Sequence, residues 1–563
     1  MNRHLPLRNK LIIMFSVMAS LFLVALDQTI ISTAMGRIVE EFNAFDSLGW
    51  IVTAYMLTTT VTVPIAGKMS DLFGRRIMLL IGVGIFGIGS LLSGMANGID
   101  MLIWSRALQG IGGGIITANA FTIVGDLFAA RERGKWQGMI GAVFGISSLI
   151  GPLLGGYLTE AHSFFGVVTD WRWTFFINIP VAIAATVVIA LICPPLKHDS
   201  HKPRIDYLGA TILTAVLALL VLAVDNTQSI FADFMNWSGW SLTMLRSAMA
   251  VLIVVGVFMF VMVERRAKDP ILPLQFFKNK NYVLVISLAL LFGAAFLGSI
   301  LYITQFNQQV YGASPTQSGL MILPLVVGLM TTSIGSGQLV AKTGRYKLQT
   351  VIGIFVAAAA MAALTTLTPE SPYWHEAVLL ILLGAGFGVV MPIMNLVVQS
   401  EFSIKQLGSA TSSTQLFRGL GSTIGVAVFG SMLTAGMSSS LGDMQNDTYL
   451  HNLKQSPIAQ KIGDFKDVNT YVTLNSPDIK QKINEGFLVS QKSTPPHMRA
   501  SVEKEFKSHQ QDFSNKVIQA FSDSLHQVFL ASTVMLVVAG VIASQITERK
   551  LEEASDYDMP AEV

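Results

Sequence analysis

Residues 67–76 have the sequence GKMSDLFGRR and connect two apolar stretches, and residues 337–345, GQLVAKTGR, occupy the same position between two later ones. In both segments the two glycines have equal spacing, and the second glycine is followed by an arginine. Self-similarity of this kind is typical of chains built from two related halves. The repeat therefore predicts two halves, each containing one copy of this connection.

Apolar stretches of similar length flank both segments and recur along the whole chain. A helix rises about 1.5 Å per residue, so roughly 20 residues cross a hydrocarbon core about 30 Å thick. We therefore predict an all-α polytopic membrane protein with fourteen spans. They lie at 11–35, 47–67, 77–96, 101–128, 136–158, 173–194, 207–225, 243–263, 282–309, 316–340, 349–367, 375–399, 409–435 and 524–546.

The composition agrees with this class and excludes several others. Of the 563 residues 52% are hydrophobic and 13% are charged, against about 25% charged residues in soluble proteins. The net charge of +3 gives no reason to expect a nucleic acid as partner. Cys193 is the single cysteine, which excludes an intramolecular disulfide and a cysteine-based metal site. We expect neither a metal nor a cofactor.

Two nucleotide-binding patterns are also excluded. Residues 82–87, GVGIFG, match the dinucleotide fingerprint, but they lie inside the third predicted span with no preceding strand. The phosphate-binding pattern GxxxxGK[ST] does not occur, which argues against a built-in ATPase motor.

Lysine and arginine are concentrated on alternate connections. The connections on the side of the two termini hold 23 of these residues, whereas the short connections on the other side hold about three. Basic residues are retained on the cytoplasmic side of a membrane. We therefore predict that both termini are cytoplasmic.

Residues 436–523, between the last two spans, form the one long polar connection and are predicted to be extracellular. The spacing of Val517, Ile518 and Phe521 predicts an amphipathic helix that leads into the last span. This extracellular loop is either a folded hairpin or lid without a direct role, or a segment that captures substrate or docks a partner.

Further motifs narrow the family. The first span contains LDQTII at 26–31, the fourth RALQGIGGG at 106–114, the fifth a glycine series ending in GPLLGG at 151–156, and the sixth opens with WRWTFFINIP at 171–180. Together with residues 67–76 they resemble the major facilitator superfamily, and within it the fourteen-helix EmrB/QacA-type drug:proton antiporters.

The resemblance implies the major facilitator fold and alternating access by rocking of two bundles around a midplane site. Residues 1–195 would form an N-terminal six-helix bundle and residues 281–563 a C-terminal one that includes the extracellular loop. Residues 196–280 would be a linker with two inserted transmembrane helices.

Ionisable residues inside the spans are functional candidates, because a charge at a helix centre costs roughly 2.5–3.5 kcal/mol on insertion scales. Asp27 lies about two thirds of the way across the first span, beyond the reach of water for so short a side chain. Burial favours its neutral form, so it can exchange a proton for a cationic substrate. The alternative is a structural hydrogen bond at a helix contact.

Arg106 and Arg418 are the two candidate cations. The resemblance associates Arg106 with proton coupling, and Gln109 lies on the same helical face; a snorkelling Arg106 is the alternative. Arg418, inside the thirteenth span, either has a coupling or substrate role or satisfies helix-end carbonyls.

The resemblance gives residues 67–76 a role as a conformational latch. In this hypothesis Asp71 binds a helix N-terminus and the two arginines bind a carboxylate across the bundle, which closes the cytoplasmic side. The latch residues are Gly67, Asp71, Gly74, Arg75 and Arg76. Retention of basic residues on the cytoplasmic side is the alternative, and Ala341 in place of an aspartate leaves a second latch in doubt.

The fifth span has small residues at four-residue spacing, which allows close approach of helix backbones. The motif residues are Gly141, Gly145, Gly151, Pro152 and Gly155. Pro152 cannot donate to the carbonyl of Ser148 and permits a kink. The resemblance assigns the motif to exporters; glycine packing without directional meaning is the alternative.

The resulting hypothesis is a proton-driven exporter of hydrophobic, often cationic compounds across a bacterial cytoplasmic membrane, acting as a monomer and not an enzyme. Its partners would be the substrate, protons and the lipid bilayer. Polar residues that could orient a substrate in an apolar cavity are Gln305, Gln309, Asn395, Gln399 and Gln415.

Two alternatives remain at this point. The first is export of a specific endogenous product, such as a lipid, glycolipid or amino acid, with the extracellular loop passing cargo to an envelope protein. The second is a non-transporting sensor or scaffold, which the short cytoplasmic connections disfavour because they cannot hold a signalling domain.

Overall fold

The computed structural model describes most of the chain. The described residues are 5–42, 48–159, 163–164, 167–193, 206–224, 227–441, 444, 447–454, 468–475, 477–490, 496–549 and 551. Within them, fourteen helices are long and apolar enough to cross a membrane, which confirms the predicted fold class.

The helices follow one another in chain order. The first six are α1 Leu7–Phe42, α2 Leu48–Phe73, α3 Arg75–Gly94, α4 Ile99–Leu127, α5 Ala130–Thr159 and α6, which runs as Trp173–Phe176 and then Asn178–Ile192. The next two are α7 Tyr207–Val224 and α8 Leu242–Glu264. The last six are α9 Lys280–Gln309, α10 as Pro315–Met321 and then Leu323–Thr343, α11 Lys347–Leu364, α12 Tyr373–Glu401, α13 Leu407–Leu441 and α14 Pro496–Ser544.

Shorter elements occupy some of the connections. Strands β1 Ser163–Phe164 and β2 Val167–Val168 pair antiparallel between α5 and α6. Helical turns at Thr227–Ile230 and Ala232–Ser238 lie between α7 and α8, and 3-10 turns lie at Leu274–Lys278 and Ile404–Gln406.

Helix packing repeats between the N-terminal half, α1–α6, and the C-terminal half, α9–α14. In the first half α1 packs on α5 and α6, α4 on α2 and α3, and α3 on α6; in the second half α9 packs on α13 and α14, α12 on α10 and α11, and α11 on α14. Between the halves α2 packs on α13, and α5 packs on α10. Each helix of one half therefore has a counterpart in the other.

The inserted helices α7 and α8 pack on each other, and α7 also contacts α2 and α13. Much of α8 projects away from the bundle, where Val251, Val254 and Phe258 are all more than 60% exposed. Such a helix is expected to face lipid.

The described part of residues 436–523 is helical and packs together. Helices Thr448–Lys454, Val468–Leu474 and Pro477–Ser490 lie beside the first part of α14, residues 496–523, and we call these four segments the cap. The rings of Phe487 and Phe506 are stacked 3.8 Å apart, and Tyr449 lies 5.1 Å from Phe513.

The predicted amphipathic stretch is therefore part of α14 itself. This helix begins at Pro496 instead of near residue 524, and Val517 and Phe521 are buried. The cap marks one face of the protein, the cap face; the opposite face carries residues 67–76 and is called the Gly67 face.

Candidate functional site

A buried polar cluster joins α1 and α4. Arg106 donates through Nη1 to Asp27 Oδ2 at 2.5 Å, and Gln109 donates through Nε2 to Asp27 Oδ1 at 2.8 Å. Arg106 also donates to Gln109 Oε1 at 2.8 Å, and no more than 1% of any of these residues is exposed. Three residues that the sequence suggested one by one thus form a single site.

Helices α3 and α6 complete the cluster. Asn178 at the start of the second part of α6 donates to Ser90 Oγ at 3.0 Å and lies 3.4 Å from Asp27 Oδ1. The guanidinium of Arg106 lies 4.3 Å from the centre of the Tyr55 ring, a cation–π contact. Its Nε has no hydrogen-bond partner among the described residues.

The ion pair ties α1 to α4 through opposite charges. The ionised Asp27 compensates the charge of Arg106 in a site closed to water. A proton on Asp27 would leave the guanidinium buried without an anion, which costs several kcal/mol. Neutralising either residue should therefore weaken the contact between α1 and α4.

At the Gly67 face, Asp71 joins the two halves. Its carboxylate accepts from the backbone N–H groups of Gly408 and Ser409, both at 2.9 Å, and from Ser409 Oγ at 3.1 Å. Gly408 and Ser409 belong to the first turn of α13, where N–H groups lack helical partners and the helix dipole favours an anion.

Arg75 supports Asp71 from the beginning of α3. Its Nη2 lies 2.5 Å from Asp71 Oδ1, its Nε lies 2.8 Å from Asp126 Oδ2 at the end of α4, and it also contacts Ser70. Gly74 links α2 to α3 with φ 98°, a backbone angle that strains other residues.

The hypothesis that both arginines bind a carboxylate is wrong for Arg76. Its Nη2 donates to the backbone carbonyl of Ala190 at 2.5 Å, near the end of α6. Free carbonyls at a helix end favour a cation. Arg76 therefore ties α3 to α6 within the same half.

The second copy of the connection closes the same face with different chemistry. Ala341 has no carboxylate to offer, and Arg131 of α5 donates instead to the carbonyl of Lys342 at 2.8 Å. Arg133 likewise donates to the carbonyl of Gln399 at 3.1 Å. The Gly67 face is therefore closed in this conformation by contacts from both halves.

The glycines of α5 divide between two neighbours. A Cβ atom on Gly141 would overlap Ser333 Oγ of α10, and one on Gly145 would lie 2.9 Å from Met330. One on Gly151 would overlap Thr29 of α1. Gly155 is buried, and Pro152 lies within α5, with its side chain outside the described part. Gly141 and Gly145 therefore allow α5 to pack closely on α10 of the other half, whereas Gly151 allows it to pack closely on α1 of its own half.

Of the five polar candidates for a cavity, three are buried and bonded to protein. Gln415 donates to Asn395 Oδ1 at 2.8 Å, and Gln399 donates to the carbonyl of Phe121 at 2.9 Å across the two halves. Gln305 and Gln309 are half-buried. The oxygens Gln399 Oε1 and Gln415 Oε1 are buried and have no hydrogen-bond partner in the described part of the chain. A role of the five residues in orienting a substrate stays a prediction.

Arg418 lies apart from the Asp27 cluster. It is half-buried between the halves, with its guanidinium 5.9 Å from the ring centres of both Phe121 and Phe144. Among the described residues it has no hydrogen bond or ion pair.

Sequence reasoning missed Glu376, Asn178 and Asp126 as site residues. Glu376 is 0% exposed near the start of α12 and faces Asn307 of α9. It lies inside the predicted span 375–399, so the cost of a charge in a span was a signal that could have identified it.

The sequence pattern of the Major Facilitator Superfamily matches residues 17–426, well over half of the chain. The chain belongs to the major facilitator superfamily. Multidrug transporter protein MdtP of Bacillus subtilis (strain 168) is 34% identical over 546 residues, which cover 96% of this chain and 93% of MdtP. Multidrug resistance protein 3 of the same bacterium is 31% identical over 532 residues, 94% of this chain and 93% of that protein.

Solved structures of major facilitator proteins share the fold. The proton:xylose symporter XylE has a TM-score of 0.59 at 14% identity, over 97% of this chain and 98% of XylE. The human organic anion transporter MFSD10 has a TM-score of 0.55 at 17% identity, over 76% of this chain and 94% of that chain. The family prediction is confirmed, and this major facilitator protein is a multi-pass membrane transporter and not an enzyme.

Proposed function

We propose that the protein exports hydrophobic and cationic compounds across a bacterial cytoplasmic membrane in exchange for protons. The Gly67 face is cytoplasmic in this proposal, and the cap face is external, as the distribution of lysine and arginine favours. Two relatives named for multidrug transport or resistance support the substrate class. The observation that carries proton coupling is the buried Asp27–Arg106 pair.

The proton acts at the Asp27 carboxylate. When Asp27 is ionised, the pair holds α1 and α4 together; when it binds a proton, Arg106 loses its counter-ion and must find other partners. The two protonation states therefore favour different arrangements of the N-terminal half, as coupling requires.

The contacts at the Gly67 face supply the gate. Opening that face must break the bonds of Asp71 to α13 and those of Arg131 and Arg133 to the C-terminal half. Hydrogen bonds to charged groups contribute about 1.5–3 kcal/mol each. Five such bonds amount to roughly 8–15 kcal/mol. This exceeds the ~5.5 kcal/mol of differential binding that shifts an equilibrium from 1:99 to 99:1, so new contacts in the open state must offset part of the cost.

The net charge moved in each transport cycle depends on the charge of the substrate. Exchange of one proton for one monovalent cation moves no net charge. A neutral substrate makes the cycle electrogenic, with about 2.3 kcal/mol available per charge per 100 mV.

The test is proton-driven uptake of ethidium into inverted membrane vesicles at equal protein abundance. We expect wild type to accumulate the dye in an uncoupler-sensitive way and Asp27→Asn to lose this uptake. Asp100→Asn is the matched control, because it removes an exposed acid from the first turn of α4. Uncoupler-sensitive uptake by Asp27→Asn would move coupling to another group.

The folded cap supports a second candidate, export of a specific cellular product with delivery to an envelope protein. The cap segments are helical, and the last of them is continuous with α14. Removing the cap helices 448–490 distinguishes the two functions. A multidrug pump should keep ethidium efflux, whereas a delivery exporter should lose release of its cargo with its membrane bundle intact.

A further inference from the structure

The packing places α9 and α12 in the C-terminal half where α1 and α4 lie in the N-terminal half. Helices α1 and α9 each pack on the fifth and sixth helices of their half and contact the fourth, and α4 and α12 both have 29 residues. Asp27 and Arg106 meet at the first of these contacts. Asn307 of α9 and Glu376 of α12 meet at the second.

Glu376 is a buried carboxyl group without a cation. It is 0% exposed, and it forms no ion pair with a lysine, arginine or histidine of the described residues. Asn307 is in polar contact with it, yet the carboxyl oxygens and both polar atoms of the Asn307 amide lack a well-formed hydrogen bond there.

The titratable groups that face Glu376 are two tyrosines. Tyr311 follows α9, and Tyr373 precedes Glu376 by one turn of α12. His375 packs its ring 5.9 Å from that of Trp374, and His526 of α14 bonds to the carbonyl of Leu367. The other helices packed on α12 present no charged group to the carboxyl within the described residues.

A groove on the cap face reaches the same tyrosines. It has a volume of about 580 Å³ and is lined by Tyr311, Gln317, Leu320, Met321, Ser371 and Tyr373, among others. The Tyr311 hydroxyl is buried and has no hydrogen-bond partner in the described part of the chain. The two tyrosines that interact with the buried Glu376 therefore line this groove, and the Tyr373 hydroxyl donates to the carbonyl of Met321 at 3.1 Å.

The geometry points to Glu376 as a second proton-binding residue of the transport cycle, loaded from the cap face through this groove. An amide suits such a site, because its N–H groups can donate to a carboxylate and its oxygen can accept from a carboxylic acid. An arginine in the same place would favour only the ionised form. This inference rests on the proposed proton exchange and adds one proton to it.

The test uses purified protein in liposomes, with ethidium as the probe and either a pH gradient or a membrane potential as the only driving force. Two protons exchanged for one monovalent cation move net charge, so we expect wild type to respond to both. Glu376→Gln should keep the response to the pH gradient and lose the response to the potential, because one proton per cation is electroneutral. Glu370→Gln, which removes an exposed carboxylate from the same connection, should behave as wild type.

The outcomes separate this inference from the proposed function. A wild type that responds to the pH gradient and not to the potential overturns the inference and leaves proton exchange standing, as does a Glu376→Gln protein that responds to both. A wild type that responds to neither contradicts the proposed function for this probe.

Protonation of Glu376 can also be measured directly, which tests the inference even if the variant is inactive or ethidium is not transported. Infrared difference spectra of the purified protein between two pH values should show a protonated carboxyl band in wild type and in Glu370→Gln. The band should be diminished in Glu376→Gln. An unchanged band would show that Glu376 binds no proton in this range and would overturn the inference.

Discussion

Helices α1 and α4 hold an aspartate and an arginine in contact, whereas their counterparts α9 and α12 hold an asparagine and a glutamate. In the N-terminal half the protein itself supplies the counter-ion of a buried charge. In the C-terminal half Glu376 and Arg418 have none among the described residues. The two halves share a packing plan, but within the part of the chain that the structure describes Glu376 and Arg418 lack the counter-ion that Arg106 gives Asp27. Glu401 of α12, whose side chain is 1% exposed, is by contrast paired with Arg549 at 3.3 Å.

The Gly67 face shows a second contrast between the halves. Asp71 finds free N–H groups because α13 begins at Leu407, directly before Gly408. Gly337 of the second copy packs instead on Gly134, which is already four residues inside α5. Gly67 likewise meets Ser412 inside α13. The second connection differs because Arg131 donates to the carbonyl of Lys342, a contact that forms without a carboxylate at position 341.

The largest expected effect comes from removing Arg106, the cation of the buried ion pair in the N-terminal half. Arg106→Leu leaves the Asp27 carboxylate buried without a counter-ion among the described residues, with the amides of Gln109 and Asn178 beside it. Breaking a buried pair in this way costs about 3–5 kcal/mol. We expect a loss of that size in apparent stability in detergent, measured by thermal unfolding. Adding Asp27→Asn should recover most of the stability and none of the proton coupling.

Arg418→Leu is the matched change in the C-terminal half, where the arginine has no ion pair among the described residues. Because Arg418 has no anion to strand in the described structure, its removal should leave stability within about 1 kcal/mol of wild type or raise it. Equal losses for the two arginines would contradict the contrast between the halves.

The next effect concerns the asymmetric closure of the Gly67 face. Asp71→Asn removes the charge that binds the N-terminus of α13, which should weaken the closed state by about 1.5–3 kcal/mol. The open state should become about tenfold more populated or more. The population of the open state can be measured by the rate at which a thiol reagent labels Ser412→Cys in a chain with Cys193→Ser. Ser412 is 1% exposed and lies against Gly67, so a reagent reaches this position only when the face opens.

The second copy provides the control. Ala341→Asp should leave the labelling rate of the same reporter within about twofold of wild type, since Arg131 already closes this part of the face through the carbonyl of Lys342. A strongly slowed rate would show that a second latch can form, and the contrast between the two connections would fail.

A smaller effect is expected where the halves touch through glycine. A Cβ atom on Gly138 would overlap the backbone carbonyl of Ser333, which cannot rotate away. Overpacking of this kind costs about 1–3 kcal/mol, so Gly138→Ala should speed labelling of the Ser412→Cys reporter. Gly156→Ala has no neighbour within 4 Å of the new atom and should not change the rate.

Much of the fold was predictable because each span needs its own long apolar stretch. The ends of the helices were less predictable from the sequence, since a helix can continue past the membrane until a residue that ends helices occurs. Helix α1 runs to Phe42 and α14 starts at Pro496, well outside the predicted spans. The division of the chain at residues 195 and 280 stays a prediction.

The site was predictable as a set of residues and not as a set of contacts. Asp27 and Arg106 each stood out as a charge in a span, but their pairing joins residues 79 apart and depends on how α1 packs on α4. Glu376 was missed because an acid in the first turn of a helix is ordinary. Its position inside the predicted span 375–399 was a sequence signal, and the packing of α9 on α12 then shows that it is buried.

The smallest expected effect tests whether charge pairing in the N-terminal half extends to its surface. Glu41 accepts from Arg172 Nη2 at 2.7 Å and from Trp171 Nε1 at 2.6 Å at the cap face. The hydrogen bond from Arg172 is the main cause that lowers the pKa of Glu41, against a weaker opposing effect of burial. A lowered pKa stabilises the fold above the unfolded value of about 4.3, and this contribution disappears as the pH falls through the folded value.

The side chain of Glu41 is 42% exposed, so water and salt screen the pair and its contribution should stay below about 1 kcal/mol. The melting temperatures of wild type and Glu41→Gln should therefore differ slightly near neutral pH, and the difference should vanish as the pH falls well below about 4.3. High salt should reduce it at neutral pH as well, because about 1 M salt screens charges beyond roughly 3 Å. A difference that grows on acidification would mean that Glu41 is stabilised in its protonated form, and charge pairing would then be confined to the buried clusters of that half.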